Sequence, residues 1–298
     1  MNSPSLPLIV IGAGPAGIAA AVEARRTGSS VILVDRAGRI GGTVSIAHEL
    51  RNLPFARDHL NGAEVAHLLA DYAHRWQLDV VRADVRAVHR DGNQVRIVGP
   101  KGHLFDGCAA VIATGTQALL PAIDGLPTTF AAPWYASAVA AWLDACPASV
   151  AVIGGSDVAF DQARWLRARG VAVTVLCRGA RSRAPSWLVQ AASAEGVQLR
   201  TRIAVQSGAV LKQGVRLELR TAAGTEYATF DVLVAAIGRN PTLPEIVPAM
   251  QIDDDRVRVA GDATGRRSRH VIAAMGDGCV AAADMLALRQ KECENESG

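Results

Sequence analysis

The sequence predicts an α/β protein of two Rossmann-like, three-layer domains, the second inserted into the first. Three observations carry this. A short apolar run, a glycine turn and an alanine-rich helix occur twice, once from Gly12 and again from Gly154. Each copy is followed by a hairpin signal and then by an apolar strand ending at glycine, residues 109–113 before Thr114-Gly115 and residues 232–237 before Gly238. A last strand, a Gly261-Asp262 turn and a helix close the chain. The 298 residues suffice for about two domains. The expected division is 1–117 with 241–298 for the first domain and 118–240 for the second.

Taken in order, residues 8–11 read as a strand, Gly12-Ala13-Gly14-Pro15-Ala16-Gly17 as the turn and residues 18–26 as a helix. A second strand, residues 31–34, ends at Asp35, 21 residues after Gly14. This is a dinucleotide fingerprint. Gly12 permits the tight turn, Gly14 lets a phosphate reach backbone N–H groups, Gly17 allows close helix packing, and the Asp35 carboxylate accepts from a ribose hydroxyl.

The second copy departs from the first in two places. Residues 150–153 lead into Gly154-Gly155-Ser156-Asp157-Val158-Ala159, so Ser156 stands at the middle-glycine position and narrows the space for a diphosphate. After a helix to about residue 169 and a strand over 171–176, the ribose-acid position holds Cys177. Arg178, Arg181 and Arg183 follow it. Guanidinium groups there suit a 2′-phosphate, which points to NADP rather than NAD. The alternative is a degenerate domain with a solvated arginine face.

Asp91-Gly92 between residues 85–88 and 94–98 predicts one hairpin, and Gln213-Gly214 between 209–212 and 215–220 a second. The closing strand is expected at 257–260 and the closing helix at about 270–290, with a frayed polar tail.

Composition narrows the class. Half the residues are hydrophobic and a fifth charged, which excludes a disordered chain, and the formal charge of +3 is too small to argue for nucleic acid or an anionic membrane. The five cysteines form no CxxC pair and suit reduced thiols in a cytoplasm. No metal set is expected, since His67 and His74 lack metal-ligand spacing. The first residues read as a strand rather than a signal peptide. The least charged stretch, residues 130–143, is too short to span a membrane.

With GAGPAG (12–17), GGT (41–43), ELRNLP (49–54), ATG (113–115), IGGSDVA (153–159), AIGRNP (236–241) and AGDATG with MGDG (260–265, 275–278) in this order, the chain resembles the pyridine nucleotide-disulfide oxidoreductase superfamily, in its thioredoxin reductase-like branch. The resemblance implies FAD on the first domain, held by Gly12, Gly14, Pro15, Ala16, Gly17, Asp35, Arg36, Gly41, Gly42, Thr43, Asn52, Ala113, Thr114, Gly115, Gly261, Asp262, His270 and Val271. It implies NADPH, with NADH less suited, on the second, held by Gly154, Gly155, Ser156, Asp157, Val158, Arg178, Arg183, Ile237 and Gly238. No catalytic side chain is assigned. His270 stands where the branch often has glutamine near the flavin, or else it is a surface helix cap.

The redox CxxC of thioredoxin reductases is missing, because the corresponding stretch, residues 134–144, has no cysteine. Cys146 is expected as a small buried residue, Trp134, Tyr135 and Trp142 as stacking or interface groups, and Ile272, Ala273 and Met275 as core. Arg256, Arg258, Arg266, Arg267 and Arg269 form an expected solvated cluster suited to an acidic redox partner. The function expected is a flavoprotein that passes electrons from NADPH through FAD to an external acceptor such as a ferredoxin, without an internal disulfide, as a cytoplasmic homodimer. The alternative is a flavin-binding subunit or sensor that has lost nucleotide turnover.

Overall fold

The computed structural model describes residues 6–247, apart from 55, 57 and 58, and residues 256–296, with side chains to residue 288. The first elements are β1 (Leu8–Ile11), α1 (Pro15–Arg26), β2 (Val31–Asp35), α2 (Gly62–Arg75), β3 (Val80–Arg82), β4 (Ala87–Asp91), β5 (Gln94–Gly99), β6 (Gly102–Gly107), β7 (Ala109–Ile112) and β8 (Thr116–Ala118). Next come β9 (Trp134–Tyr135), α3 (Ala138–Ala145), β10 (Ser149–Gly154), α4 (Asp157–Arg167), β11 (Ala172–Cys177), α5 (Ser186–Ala194), β12 (Gln198–Thr201), β13 (Ala204–Val210), β14 (Val215–Thr221), β15 (Gly224–Phe230) and β16 (Val232–Ala236). The chain closes with β17 (Arg239–Pro241), β18 (Glu245–Val247), β19 (Val257–Val259) and α6 (Val271–Glu296).

These elements divide into two units. One holds Met1–Ser45, Leu50–Gln117 and Pro241–Gly298; the other holds Ile46–Glu49 and Ala118–Asn240.

In the first unit the parallel sheet runs β19-β7-β1-β2-β3. A parallel sheet is covered on both faces, so its strands are continuous apolar runs, and β1 is Leu-Ile-Val-Ile with every residue buried. Alternation sorts them. Leu8 and Val10 pack with α1, α2 and α6 residues such as Ile18, Leu69 and Met285, while Ile9 and Ile11 pack with Val88, Val95 and Ile97 of the mixed β18-β4-β5-β6 sheet, in which β18 runs parallel to β4 and the other pairs are antiparallel. That gives three layers: helices, parallel sheet, second sheet. Helix α2 starts with a reciprocal cap, in which Asn61 Oδ1 accepts from the Glu64 N–H at 3.0 Å and Glu64 Oε2 accepts from the Asn61 N–H at 2.7 Å.

The second unit repeats the plan. Its parallel sheet is β12-β11-β10-β16-β9, and β13-β14-β15 form the antiparallel layer. Val150 and Val152 face the helices with Phe160 and Leu188, whereas Ala151 and Ile153 face Leu217, Leu219 and Phe230.

Several expectations need correction. Trp134 is fully buried in the apolar core of the second unit, so it is a packing residue and no stacking platform. Cys146 is exposed, because it ends α3 in a left-handed conformation with φ 39°. Ile272 is exposed rather than core, while Met275 does pack on the first unit's core. Arg256 is buried, its Nη1 donating to the Cys108 carbonyl at 3.5 Å, and so leaves the solvated cluster. Strand β13 stops at Val210, since the Leu211 N–H turns to the Gly214 carbonyl at 3.0 Å.

Helix α6 runs to Glu296 without the expected frayed end at 290. Its segment Val271–Leu288 has a mean hydropathy of 1.7 and is long and apolar enough to cross a membrane by length and composition. Gly278, Ala281, Ala282 and Met285 of this segment are nevertheless buried in the first unit.

Candidate functional site

Within the first unit the turn between β1 and α1 is shaped by close backbone approaches. Gly12 has φ +110°, and a Cβ there would lie 2.3 Å from the Ala113 carbonyl oxygen, so this position requires glycine on two counts. A Cβ on Gly17 would lie 1.7 Å from the Gly12 carbonyl oxygen. Gly14 differs: a Cβ there would meet nothing within 4 Å. It lies at the start of α1 with φ −80° and ψ −175°, and no side chain caps the helix.

The uncapped helix N-terminus beside open space is the feature a diphosphate requires, because the first N–H groups of a helix lack partners within it. Asp35 is fixed at the end of β2, where Oδ2 accepts from the Ala13 N–H at 3.1 Å and Oδ1 from the Ala37 N–H at 2.7 Å. Arg36 beside it is exposed. The residues present therefore fit a dinucleotide.

The neighbouring residues gather at this turn. The Gly41 N–H donates to the Ala13 carbonyl at 3.0 Å, and a Cβ on Gly42 would come within 3.3 Å of Gly14 Cα. Thr43 follows in the same short helical turn, Gly42–Ile46. Gly261 abuts the helix, since a Cβ there would lie 2.7 Å from Ala16 Cβ. Asp262 belongs to the turn Gly261–Thr264. Beyond Ala113, the Thr114 hydroxyl donates to the Thr242 carbonyl, and the Gly115 carbonyl accepts from the Thr242 N–H at 3.0 Å.

Asn52 and His270, 218 residues apart, are joined by a 2.8 Å hydrogen bond between Asn52 Nδ2 and His270 Nδ1. The side-chain amide and the imidazole ring are thereby paired, with the donor and acceptor roles set by the ring's tautomer. The His270 carbonyl also accepts from the Ala274 N–H at 2.9 Å, which places His270 immediately before α6 and Val271 as its first residue.

The second unit builds the same turn from different residues. A Cβ on Gly154 would lie 2.3 Å from the Ala236 carbonyl oxygen, repeating the Gly12–Ala113 approach. Ser156 opens α4 with φ −93° and ψ 174°, close to the Gly14 conformation, and its hydroxyl makes no cap hydrogen bond. Asp157 and Val158 form the first turn, with Asp157 Oδ1 accepting from the Val158 N–H at 2.9 Å. The Gly17 position is taken by Ala159, which is fully buried.

Cys177 stands where Asp35 stands in the first unit, buried beneath the turn. A Cβ on Gly155 would fall 2.5 Å from its Sγ. Gly155 thus replaces Ala13 because the sulfur occupies the room a methyl would need. Arg178, Arg181 and Arg183 are exposed, and the Arg183 N–H donates to the Gly155 carbonyl at 2.7 Å, tying that arginine to the turn. Ile237 and Gly238 follow β16, and the Gly238 carbonyl accepts from the Leu119 N–H at 2.9 Å.

One cluster in the second unit had no signal in the sequence. The Arg164 guanidinium meets Glu195 with Nε–Oε1 at 2.9 Å and Nη2–Oε1 at 2.7 Å, and Glu49 with Nη1–Oε2 at 2.7 Å. The Glu195 hydrogen bonds hold the guanidinium above its ordinary range, against the opposing effect of burial. Beside it, Asp161 accepts from the His48 and Glu49 N–H groups at 2.8 and 3.0 Å. Burial pushes the Asp161 carboxyl up despite those two bonds. A raised folded-state pKa means that the contribution of Asp161 to stability is full below the ordinary carboxylate range and is lost as pH rises through the raised value. Asp161→Asn should therefore gain stability relative to the natural protein as pH increases from about 4 to about 7, measured by urea denaturation. Parallel pH curves would refute this.

Among the described residues there is no group of histidine, cysteine or carboxylate side chains suited to a metal ion. Cys108, Cys146, Cys177 and Cys279 are free thiols. Arg267 and Arg269 are exposed, and Arg266 pairs with Asp277 at 2.6 Å.

The family model described as pyridine nucleotide-disulphide oxidoreductase matches residues 6–292. A thioredoxin reductase of Mycolicibacterium smegmatis is 28% identical over 298 residues, covering 93% of this chain and 94% of the relative. A bifunctional thioredoxin reductase/thioredoxin of Mycobacterium leprae is 27% identical, and the chain spans 64% of its length. Among solved structures, Lactococcus lactis thioredoxin reductase gives a TM-score of 0.84 at 22% identity, covering 95% of this chain and 99% of that one. The bacillithiol disulfide reductase of Staphylococcus aureus gives 0.76 at 18% identity, covering 96% and 99%. These two likenesses show the two-domain α/β fold.

Proposed function

The chain belongs to the pyridine nucleotide-disulphide oxidoreductase family, and from that premise we propose that it takes hydride from NADPH and passes electrons through FAD to an external acceptor, a protein electron carrier by preference. The family implies FAD and a pyridine nucleotide. The observation that carries the reading is the pair of equivalent turns, one in each unit, each placing an apolar strand, a glycine and a helix N-terminus in the same backbone geometry. When bound, the flavin supplies a hydride acceptor that releases electrons singly or in pairs.

The protein's own part is binding and positioning. The α1 N-terminus and Gly14 receive the diphosphate, and Asp35, held by two backbone N–H groups, presents its remaining lone pairs to a ribose. His270, oriented by its hydrogen bond with Asn52, presents its imidazole at the start of α6. In the second unit Arg178 and Arg183 meet a 2′-phosphate. Residues 134–144 hold no cysteine, so no dithiol in that segment relays electrons to a partner disulfide.

The purified protein should be yellow and release FAD, identified by chromatography after heating. Anaerobic stopped-flow mixing with NADPH should bleach the flavin band rapidly, while NADPH-dependent reduction of thioredoxin stays at background. FMN, or robust thioredoxin turnover, would overturn the reading. A second reading, a flavin-binding subunit without nucleotide turnover, draws on Ser156 and Cys177, the two places where the second turn departs from the first. An oxidised flavin unreactive toward NADPH would favour it.

A further inference from the structure

Ser156 and Gly14 occupy the same place at the start of their helices with nearly the same backbone, φ −93° and ψ 174° against φ −80° and ψ −175°. Neither conformation demands glycine, since both have negative φ. What Gly14 supplies is empty space, because its missing Cβ would meet no protein atom within 4 Å. In the second unit that space in front of the helix holds the Ser156 Cβ and hydroxyl. Serine is a favoured N-cap residue, yet this hydroxyl takes no cap bond from α4. Because Ser156 shares the Gly14 backbone, its Cβ projects into the space that Gly14 leaves open.

We propose that Ser156 is an affinity-setting residue that holds the diphosphate of a bound dinucleotide off the α4 N-terminus, so that recognition rests on the adenosine end at Arg178 and Arg183. This rests on the reading of the second unit as the pyridine nucleotide site. The two contributions are separable. NAD and NADP share the diphosphate, so Ser156 acts on both alike, whereas the arginines act only on the 2′-phosphate. The ratio of the two affinities is then unaffected by Ser156, but both absolute affinities are lowered.

The test is calorimetric titration of the flavin-loaded protein with NADP+ and with NAD+, for the natural protein, Ser156→Gly and Ser156→Ala. The glycine variant should bind both ligands more tightly by the same factor, roughly tenfold, the size of one regained charge-assisted contact. The alanine variant removes the hydroxyl but keeps the Cβ, so it should tighten binding of both ligands by one common factor smaller than that of the glycine variant. Combined with Arg178→Ala and Arg183→Ala, the glycine gain should persist undiminished. Weaker binding by Ser156→Ala would show that the hydroxyl donates to the phosphate, which overturns the proposal. An unchanged affinity in Ser156→Gly overturns it as well, while leaving the nucleotide site in place. Failure of every variant to bind either dinucleotide overturns both this proposal and the reading of the second unit.

Discussion

Gly17→Ala should unfold the first unit or strip it of flavin, with a loss of about 3 kcal/mol or more, at the upper end of what overpacking costs. The added Cβ would sit 1.7 Å from the Gly12 carbonyl oxygen. Gly12 cannot yield, because it is wedged against the Ala113 carbonyl and holds φ +110°. Helix α1 would have to lift away from β1, taking the N–H groups of the turn with it. The second unit supplies the control. Ala159 stands at the same position, buried without conflict, and Ala159→Gly should cost only about 1 kcal/mol of helix propensity. Urea denaturation with flavin absorbance as a second signal reads both variants. A Gly17→Ala protein as stable and as yellow as the natural one would refute the close-packing account.

Replacing Arg178 and Arg183 together with alanine should weaken NADPH binding by roughly tenfold to a few hundredfold, if one or two contacts of ~1.5 to 3 kcal/mol are lost. NADH, which has no 2′-phosphate, should bind nearly as before. Both side chains are exposed, and neither makes a side-chain hydrogen bond or ion pair among the described residues, so their charge is available to a ligand. Equilibrium titration of both dinucleotides at one ionic strength gives the comparison. If both lose affinity equally, or if the natural protein binds the two alike, the arginines are a solvated face.

The fold class was legible because a parallel strand buried on both faces leaves a continuous apolar run, and glycine turns punctuate it. Leu8–Ile11 and the turn after it illustrate this. What failed to show were features set by distant partners. Arg256 reads as one more surface arginine until the Cys108 carbonyl, 148 residues away, is beside it. The Arg164 cluster draws on Glu49 and Glu195, at separations of 115 and 31 residues, which no local period encodes. Cys146 looked buried because cysteine commonly is, but the end of α3 turns it outward in a left-handed residue. At the candidate sites the glycines and Asp35 could be read from spacing. The Asn52–His270 bond could not.

The parallel sheet of the first unit takes its strands in the order β19-β7-β1-β2-β3, so an inner strand made early waits for an edge strand made late. A ribosome delivers β1 through β7, then Ala118–Asn240 of the second unit, and only afterwards β19 and α6. Vectorial synthesis thus lets the inserted unit fold while the outer one is unfinished. The delay bears on Ala16 in particular. Gly261 and Gly278 both press against it, and Gly278 approaches so closely that a Cβ there would lie 2.0 Å from the Ala16 carbonyl oxygen. The start of α1 is therefore braced only once Gly261 and Gly278 are in place. A chain cut before Gly261 would keep the glycine turn and its contacts with Asp35 and Ala113, but would lack both residues that brace Ala16.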